Sequence, residues 1–139
     1  MSEETEGIVK RFIEECLNRR DLDLVNQLFS PDYVNYAATQ DISPDLEGYK
    51  QRIAYMFTSF PDLHVKIEDI FSDEDKVGIR LTASGSHMGD LMGFSATGRY
   101  AEWTAIAIYQ VSDGKILKRW ENRDDLGLME QLAIGAVPK

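Results

Sequence analysis

Asp124, near the end of the chain, has a side chain that can do acid/base chemistry at a carbonyl group. Trp120, Asn122 and Asp124 alternate along a β pattern that follows a hairpin signal at 112–115. Because successive side chains of a strand point to opposite faces, the three share one face. If Trp120 faces a cavity, a carboxylate lies there with an amide and an indole behind it. Such a carboxylate can take a proton from the carbon beside a carbonyl and later protonate a developing alkoxide.

Asp124 also has a purely structural interpretation. It directly precedes the helical pattern that contains Leu126, Leu128 and Leu132. Aspartate is among the commonest N-cap residues, because its carboxylate accepts a hydrogen bond from the first turn. The residues alone therefore leave two roles open for Asp124, acid/base catalyst and helix cap.

Further candidates for the site come from a strand and the loop that follows it. His87 continues the strand face of Leu81 and Ala83, and its imidazole can polarise a substrate carbonyl or orient a carboxylate. The alternative is that His87 fastens the loop 89–98 by a backbone hydrogen bond. Met92 in this loop is expected either to line or cover an apolar pocket or to fill the core.

Two more candidates follow the second predicted helix. Asn35 and Tyr36 occupy a short strand that is expected at the edge of the cavity. The long strand that carries Trp103 poses a further question, since Glu102 lies on its opposite face. If the face of Glu102 lines the cavity, a second carboxylate joins Asp124, and this would favour hydration or hydroxylation chemistry.

The elements that position these residues form a helical part and a β part. Apolar residues recur at three- and four-residue spacing up to Pro61 and at a period of two after it. The helical signals are, in order, a helix at about 3–18, a short helix begun by Asp21 and closed by Pro31, and a helix opened by Ser43-Pro44 and stopped by Pro61. We expect one α+β domain over residues 1–139. A curved sheet of about four long strands needs helices over its concave face, which leaves a pocket between the layers.

Composition excludes several classes of partner. The chain has 139 residues and a formal net charge of −9, so we expect it to bind neither nucleic acid nor an anionic membrane. The acidic start and the lack of a long apolar run predict a cytoplasmic protein. The single Cys16 lies in a helical apolar pattern, and the two histidines have no clustered third ligand, so no metal site is expected. Glycine-rich phosphate-binding motifs are also absent from the sequence.

Several short motifs occur together in a recognisable order. They include Phe60-Pro61-Asp62-Leu63, Gly85-Ser86-His87-Met88-Gly89, Asp113-Gly114-Lys115-Ile116, Trp120 with Asp124, and Leu126-Gly127-Leu128. This ordered set resembles the SnoaL-like polyketide cyclase family of the nuclear transport factor 2-like superfamily. The resemblance implies a curved antiparallel sheet whose N-terminal helices form a cone-shaped pocket. It also implies an aldol closure of a polyketide-like, hydrophobic carbonyl substrate without cofactor, with Asp124 as the acid/base.

The resemblance leaves the reaction open, because the fold also supports hydroxylases, dehydratases and non-catalytic binding domains. Tyr36 stands where many members of the family carry a histidine. The substrate-binding residues we expect are Asn35, Tyr36, His87, Met92, Trp120 and Asn122. We further expect a homodimer formed through the outer sheet face, which would carry Trp103, Ala105, Ala107 and Tyr109 if the opposite face lines the pocket.

Overall fold

A single curved sheet carries the fold, and the helices pack across its concave face. The computed structural model describes residues 2–134, so Met1 and residues 135–139 of the expected domain 1–139 lie outside the described residues. The strands are β1 (Phe29–Asn35), β2 (His64–Asp73), β3 (Lys76–Ser86), β4 (Tyr100–Ser112) and β5 (Lys115–Arg123). They are arranged in the order β1-β5-β4-β3-β2. Only the short β1 runs parallel to its neighbour, β5, and the three other pairs are antiparallel.

The helical part begins with α1 (Ser2–Arg11), which continues as a π-helical segment, Phe12–Asn18. It is followed by a 3-10 turn (Leu22–Leu24), α2 (Val25–Leu28), α3 (Leu46–Ser59) and, after the sheet, α4 (Asp125–Leu132). The expected cap at Asp21 is confirmed, since its carboxylate accepts a hydrogen bond from the Leu24 amide at 3.3 Å. No helix among residues 2–134 is both long and apolar enough to cross a membrane.

Two predicted helix boundaries are wrong. The second helix ends at Leu28, and Pro31 lies inside β1, at the edge of the sheet where a missing N–H is tolerated. The third helix is capped by Asp45, whose carboxylate accepts a hydrogen bond from the Gly48 amide at 2.9 Å. Ser43 is not the cap because the helix begins only after Pro44, which lies in a bend with its carbonyl bound to the Asn35 amide at 2.7 Å.

The burial of β4 decides which face of the sheet lines the interior. Its buried residues alternate strictly with more exposed ones and are Ala101, Trp103, Ala105, Ala107, Tyr109 and Val111. The face of Trp103 is therefore the concave face, and Glu102 points outward. The predicted hairpin after β4 is confirmed, because Asp113 and Gly114 have φ values of 53° and 76°, as a type I′ turn requires.

The first helix provides the apolar wall opposite the sheet. Phe12 is fully buried, and its ring lies 4.9 Å from that of Phe29 and 6.1 Å from that of Tyr109. Cys16 lies on the same face, and burial raises the pKa of its thiol to about 12. A thiol that stays protonated is a poor nucleophile, so Cys16 is a core residue, as its spacing predicts.

Two amide side chains join the helices to free strand edges. The amide of Asn18 donates to the Val65 carbonyl at 2.8 Å and accepts from the Val65 amide at 2.7 Å. In the same way, Gln131 of α4 accepts from the Glu102 amide at 2.8 Å and donates to the Glu102 carbonyl at 2.5 Å. This second pair covers the part of β4 beyond its pairing with β5, which begins at Ala105.

Replacement of Asn18 tests the first of these links. Asn18→Ala removes both hydrogen bonds to Val65, so we expect the free energy of unfolding to fall by about 1–3 kcal/mol. Urea unfolding followed by circular dichroism measures this change. The matched control is Asn26→Ala, because Asn26 is exposed and its side-chain oxygen accepts from the exposed end of Lys50 at 3.2 Å. Equal losses in both variants would contradict the prediction.

Candidate active site

A pocket opens between α3 and the concave face of the sheet. It has a volume of about 90 Å³, which is smaller than the usual range for sites that enclose a whole small molecule. Its apolar lining residues are Ile13, Leu17, Ile53, Met56, Leu63, Val65, Leu81, Ala83, Trp103 and Ala105. Its polar lining residues are Tyr49, Arg52, Tyr109, Arg119, Glu121 and Arg123. The pocket is thus an apolar cavity whose polar side chains lie together on one side.

The polar side of the pocket is formed mainly by alternate residues of β5. Glu121 Oε1 lies 2.6 Å from Arg119 Nη2 and 3.8 Å from Arg123 Nη1. The Glu121 and Arg119 side chains are only 9% and 8% exposed, so their interaction is screened little by water. Arg123 also contacts the exposed carboxylate of Asp125, with Nε and Oδ1 3.4 Å apart. Glu121 is therefore a carboxylate held at the pocket wall between two guanidinium groups.

Neighbouring side chains fix Arg119 in place. Its Nη1 donates to Asn35 Oδ1 at 3.1 Å, and its guanidinium carbon lies 4.8 Å from the centre of the Tyr49 ring. Its Nε has no hydrogen-bond partner among the described residues. Burial raises the pKa of the phenols of Tyr49 and Tyr109, which therefore remain neutral hydrogen-bond donors near neutral pH.

Trp120, Asn122 and Asp124 do not line this pocket. The pocket is lined by Arg119, Glu121 and Arg123, which occupy the other face of β5. Trp120 instead stacks on Tyr36 outside the sheet, with ring centres 5.2 Å apart and planes at 6°. The charged residues can face inward because Glu121 lies between two guanidinium groups there, and the indole is only half-buried against an exposed tyrosine.

Asp124 lies at the outer end of β5 and caps α4. Its side chain is exposed, and its Oδ1 accepts a hydrogen bond from the Gly127 amide at 2.9 Å. Together with Asn122, Thr104 and Ile106 it borders a shallow depression on the outer side of the sheet. The helix-cap role is thus observed, and the catalytic role of Asp124 stays a prediction.

The other expected site residues divide between the pocket and its surroundings. Asn35 is buried and positions Arg119, as described above. Met92 is 54% exposed but borders a small cavity at the pocket mouth, beside Arg52. His87 is fully buried, and its Nδ1 accepts from the Thr97 amide at 3.2 Å, which corresponds to the loop-fastening alternative. Its substrate-binding role, like those of Tyr36, Trp120 and Asn122, stays a prediction.

Sequence reasoning missed four residues that the structure brings together, namely Tyr49, Arg52, Arg119 and Glu121. One signal could have found part of this group. Arg119, Glu121 and Arg123 carry charges of alternating sign at a spacing of two, which places opposite charges side by side on one strand face. Among residues 2–134, three or more His, Cys, Asp or Glu side chains nowhere converge in a way that could hold a metal ion.

Comparison with known proteins assigns the chain to a family. Residues 7–132 match the family model of the SnoaL-like polyketide cyclases. The chain belongs to the SnoaL-like polyketide cyclase family. The match covers nearly the whole described region, including every strand and the polar residues of the pocket.

Individual relatives of this SnoaL-like domain share its length and shape. The aklanonic acid methyl ester cyclase DnrD of Streptomyces peucetius is 28% identical over 130 residues, which is 90% of this chain and 88% of that protein. The structure of IdmH, a proposed polyketide cyclase from Streptomyces antibioticus, is 28% identical with a TM-score of 0.82 and covers 94% of this chain and 99% of its own. AclR, a proposed hydroxylase from Streptomyces galilaeus, is 27% identical with a TM-score of 0.84. The match covers 99% of this chain and 86% of AclR. These similarities confirm the expected nuclear transport factor 2-like fold.

Proposed function

We propose that this SnoaL-like domain closes a ring in a polyketide-type substrate by an intramolecular aldol reaction, with Glu121 as the acid/base. The observation that carries the proposal is the buried Glu121 carboxylate, 2.6 Å from Arg119, at the wall of an otherwise apolar pocket. An apolar pocket suits a hydrophobic part of a substrate, and a carboxylate at its wall can meet an acidic C–H group. Membership of the cyclase family supports the same reaction class.

The proposed reaction needs two proton transfers and one new bond. The Glu121 carboxylate takes a proton from the carbon between or beside carbonyl groups, and the enolate forms next to Arg119 and Arg123. Their guanidinium groups stabilise the negative charge of the enolate. This stabilisation is strongest in a site with little water. The enolate carbon then forms a C–C bond with a second carbonyl carbon, whose C=O π electrons move onto oxygen. That alkoxide takes the proton back from Glu121.

The atoms of the substrate are all retained in this reaction, so its product is an isomer. No electron leaves or enters the substrate, and the proposed reaction therefore requires neither an oxidant nor an organic cofactor. Tyr49 and Tyr109 line the same pocket as neutral phenols and are suited to donate hydrogen bonds to a substrate carbonyl.

Product analysis tests the proposal directly. The chain is incubated with polycarbonyl compounds as free acids and as methyl esters, including aklanonic acid methyl ester, the compound in the name of DnrD. The products are examined by chromatography and mass spectrometry. We expect a product of unchanged mass with a new absorption spectrum. A product that has gained one oxygen atom would favour the hydroxylase alternative, for which the similarity to AclR is the specific observation. A product that has lost water would favour a dehydratase, and tight binding without any product would favour a binding domain.

We also propose that the domain forms a homodimer through the outer face of the sheet. The face of β4 that carries Trp103 lines the pocket, so Trp103 and its neighbours on that face are not on the outer face. The outer face carries a different set of apolar residues. A row of neighbouring positions crosses four strands there and consists of Trp120, Ile108, Gly78 and Phe71. Ile108 and Phe71 are 42% and 65% exposed, and Tyr36 extends the row by stacking on Trp120. We call this set the outer apolar row.

A charge placed in the outer apolar row tests the dimer. We expect Ile108→Glu to convert a dimer into a monomer, because a buried unpaired carboxylate opposes association. Light scattering coupled to gel filtration at micromolar concentration gives the mass in solution. Ser112→Glu, at the exposed end of the same strand, is the matched control and keeps the dimer. A monomeric wild-type protein would disprove the proposed interface.

A further inference from the structure

We propose that the mouth of the pocket is an anion site in which Arg52, together with Arg123, binds a free carboxylate group of the substrate. The statement that the bound anion belongs to a substrate rests on the proposed function. The anion site adds the chemical class of that substrate, an acid rather than its neutral ester, and it assigns a specificity role to Arg52, a residue of α3.

The charge balance of the pocket is the first argument. Among the residues that the structure describes, the pocket is lined by three guanidinium groups, those of Arg52, Arg119 and Arg123, and by one carboxylate, that of Glu121. Asp125 compensates Arg123 in part, from an exposed position 3.4 Å away. A positive excess in a partly enclosed space costs free energy unless an anion is bound. This excess is notable in a chain whose net charge is −9.

In the described part of the chain, Arg52 lacks a close carboxylate partner, since Asp125, Glu121 and Asp41 attract its charge only from beyond salt-bridge distance. Among the described residues it forms no salt bridge within 4.0 Å, whereas Arg119 and Arg123 both contact Glu121. The Arg52 guanidinium lies over the Tyr55 ring, with its carbon 5.8 Å from the ring centre. Burial, and then the positive charge of Arg123, lower the pKa of Arg52, so the two cations are near enough to repel each other.

The location of the two arginines makes the site accessible from the pocket. Arg52 and Arg123 line the main pocket and also two small cavities that adjoin it, one beside Ala38 and Ile42 and one beside Met92. A group bound between them is therefore in direct continuity with the apolar cavity. A carboxylate matches this position because its two oxygens can accept from two guanidinium groups at once. A methyl ester has no charge to offer them.

A matched pair of small aromatic probes tests the site without knowledge of the substrate. Binding of 2-naphthoate and of methyl 2-naphthoate is measured by isothermal titration calorimetry at neutral pH and low salt. We expect the acid to bind at least about tenfold more tightly than the ester, a difference that increased salt reduces. Arg52→Gln should abolish this preference by weakening the acid about tenfold while leaving the ester unchanged.

Two further variants separate a direct charge effect from a structural one. Arg11→Gln removes the same charge from an exposed pair with Glu15 on α1 and should bind both probes as the wild type does. Glu121→Gln should bind naphthoate more tightly, since it removes a repelling carboxylate and frees two guanidinium groups. Equal binding of acid and ester, equal weakening of both by Arg52→Gln, or no binding of either probe would overturn the anion site.

The outcomes for binding and for catalysis are distinguishable. A protein that cyclises polycarbonyl compounds but does not distinguish naphthoate from its ester overturns the anion site and leaves the proposed function intact. A protein that prefers naphthoate through Arg52 but yields no cyclised product supports the anion site and overturns only the catalytic proposal.

Discussion

Glu121→Gln is expected to lower the turnover of the cyclisation by at least about a hundredfold, because loss of a general acid/base costs two to four orders of magnitude. Glutamine keeps an oxygen that can accept from Arg119, so the hydrogen bond at this position is retained. It cannot take a proton from carbon. The measurement is kcat from initial rates of product formation, with circular dichroism to verify that the variant folds.

Asp124→Asn is the matched control for Glu121→Gln and also tests the prediction from the sequence. Asparagine is as good an N-cap as aspartate, so the change removes the charge and preserves the cap of α4. We expect this variant to retain turnover close to that of the wild type. The opposite pair of results, with full activity in Glu121→Gln and none in Asp124→Asn, would overturn the role of Glu121 and establish Asp124 as the acid/base.

Arg119→Met is expected to reduce the free energy of unfolding by about 3–5 kcal/mol, the usual cost of removing one partner of a buried ion pair. The variant leaves the Glu121 carboxylate with only Arg123, at 3.8 Å, and leaves the Asn35 side-chain oxygen without its 3.1 Å donor. It also removes the contact of the guanidinium with the Tyr49 ring. Urea unfolding at neutral pH measures the loss.

Two companion variants identify the cause of that destabilisation. Arg119→Met combined with Glu121→Gln removes both charges, so a large part of the lost stability should return. Arg123→Met removes only the more distant and more exposed partner of Glu121, and we expect a loss of about 1 kcal/mol or less. If the double variant is no more stable than Arg119→Met, the uncompensated Glu121 charge is not the cause.

The positions of most elements could be predicted from the sequence because local signals decide them. The change of period at Pro61, the cap at Asp21 and the turn at 112–115 each reflect a physical preference of a few neighbouring residues. The start of α3 could not be predicted in this way. The Pro44 carbonyl binds the amide of Asn35 in β1, and this contact between distant parts of the chain delays the helix until Asp45.

The candidate site was harder to predict because it depends on which face of β5 turns inward. A strand with Trp120 on one face and charged residues on the other is normally expected to bury the tryptophan. Here Arg119 and Glu121 are buried as a pair, and the neighbours that make this favourable, Asn35 and Tyr49, come from β1 and α3. No property of the β5 sequence by itself shows that these partners are available.

The amides of Asn18 and Gln131 have a consequence for the behaviour of the protein at high concentration. An unpaired strand edge is a template onto which a strand of another molecule can add. Asn18 occupies the backbone groups of Val65 on the edge strand β2, and Gln131 occupies those of Glu102 where β4 extends past β5. Each amide imitates a short piece of neighbouring strand and blocks strand addition at its position. We therefore expect the same two side chains that attach the helices to the sheet to oppose edge-to-edge aggregation at these positions.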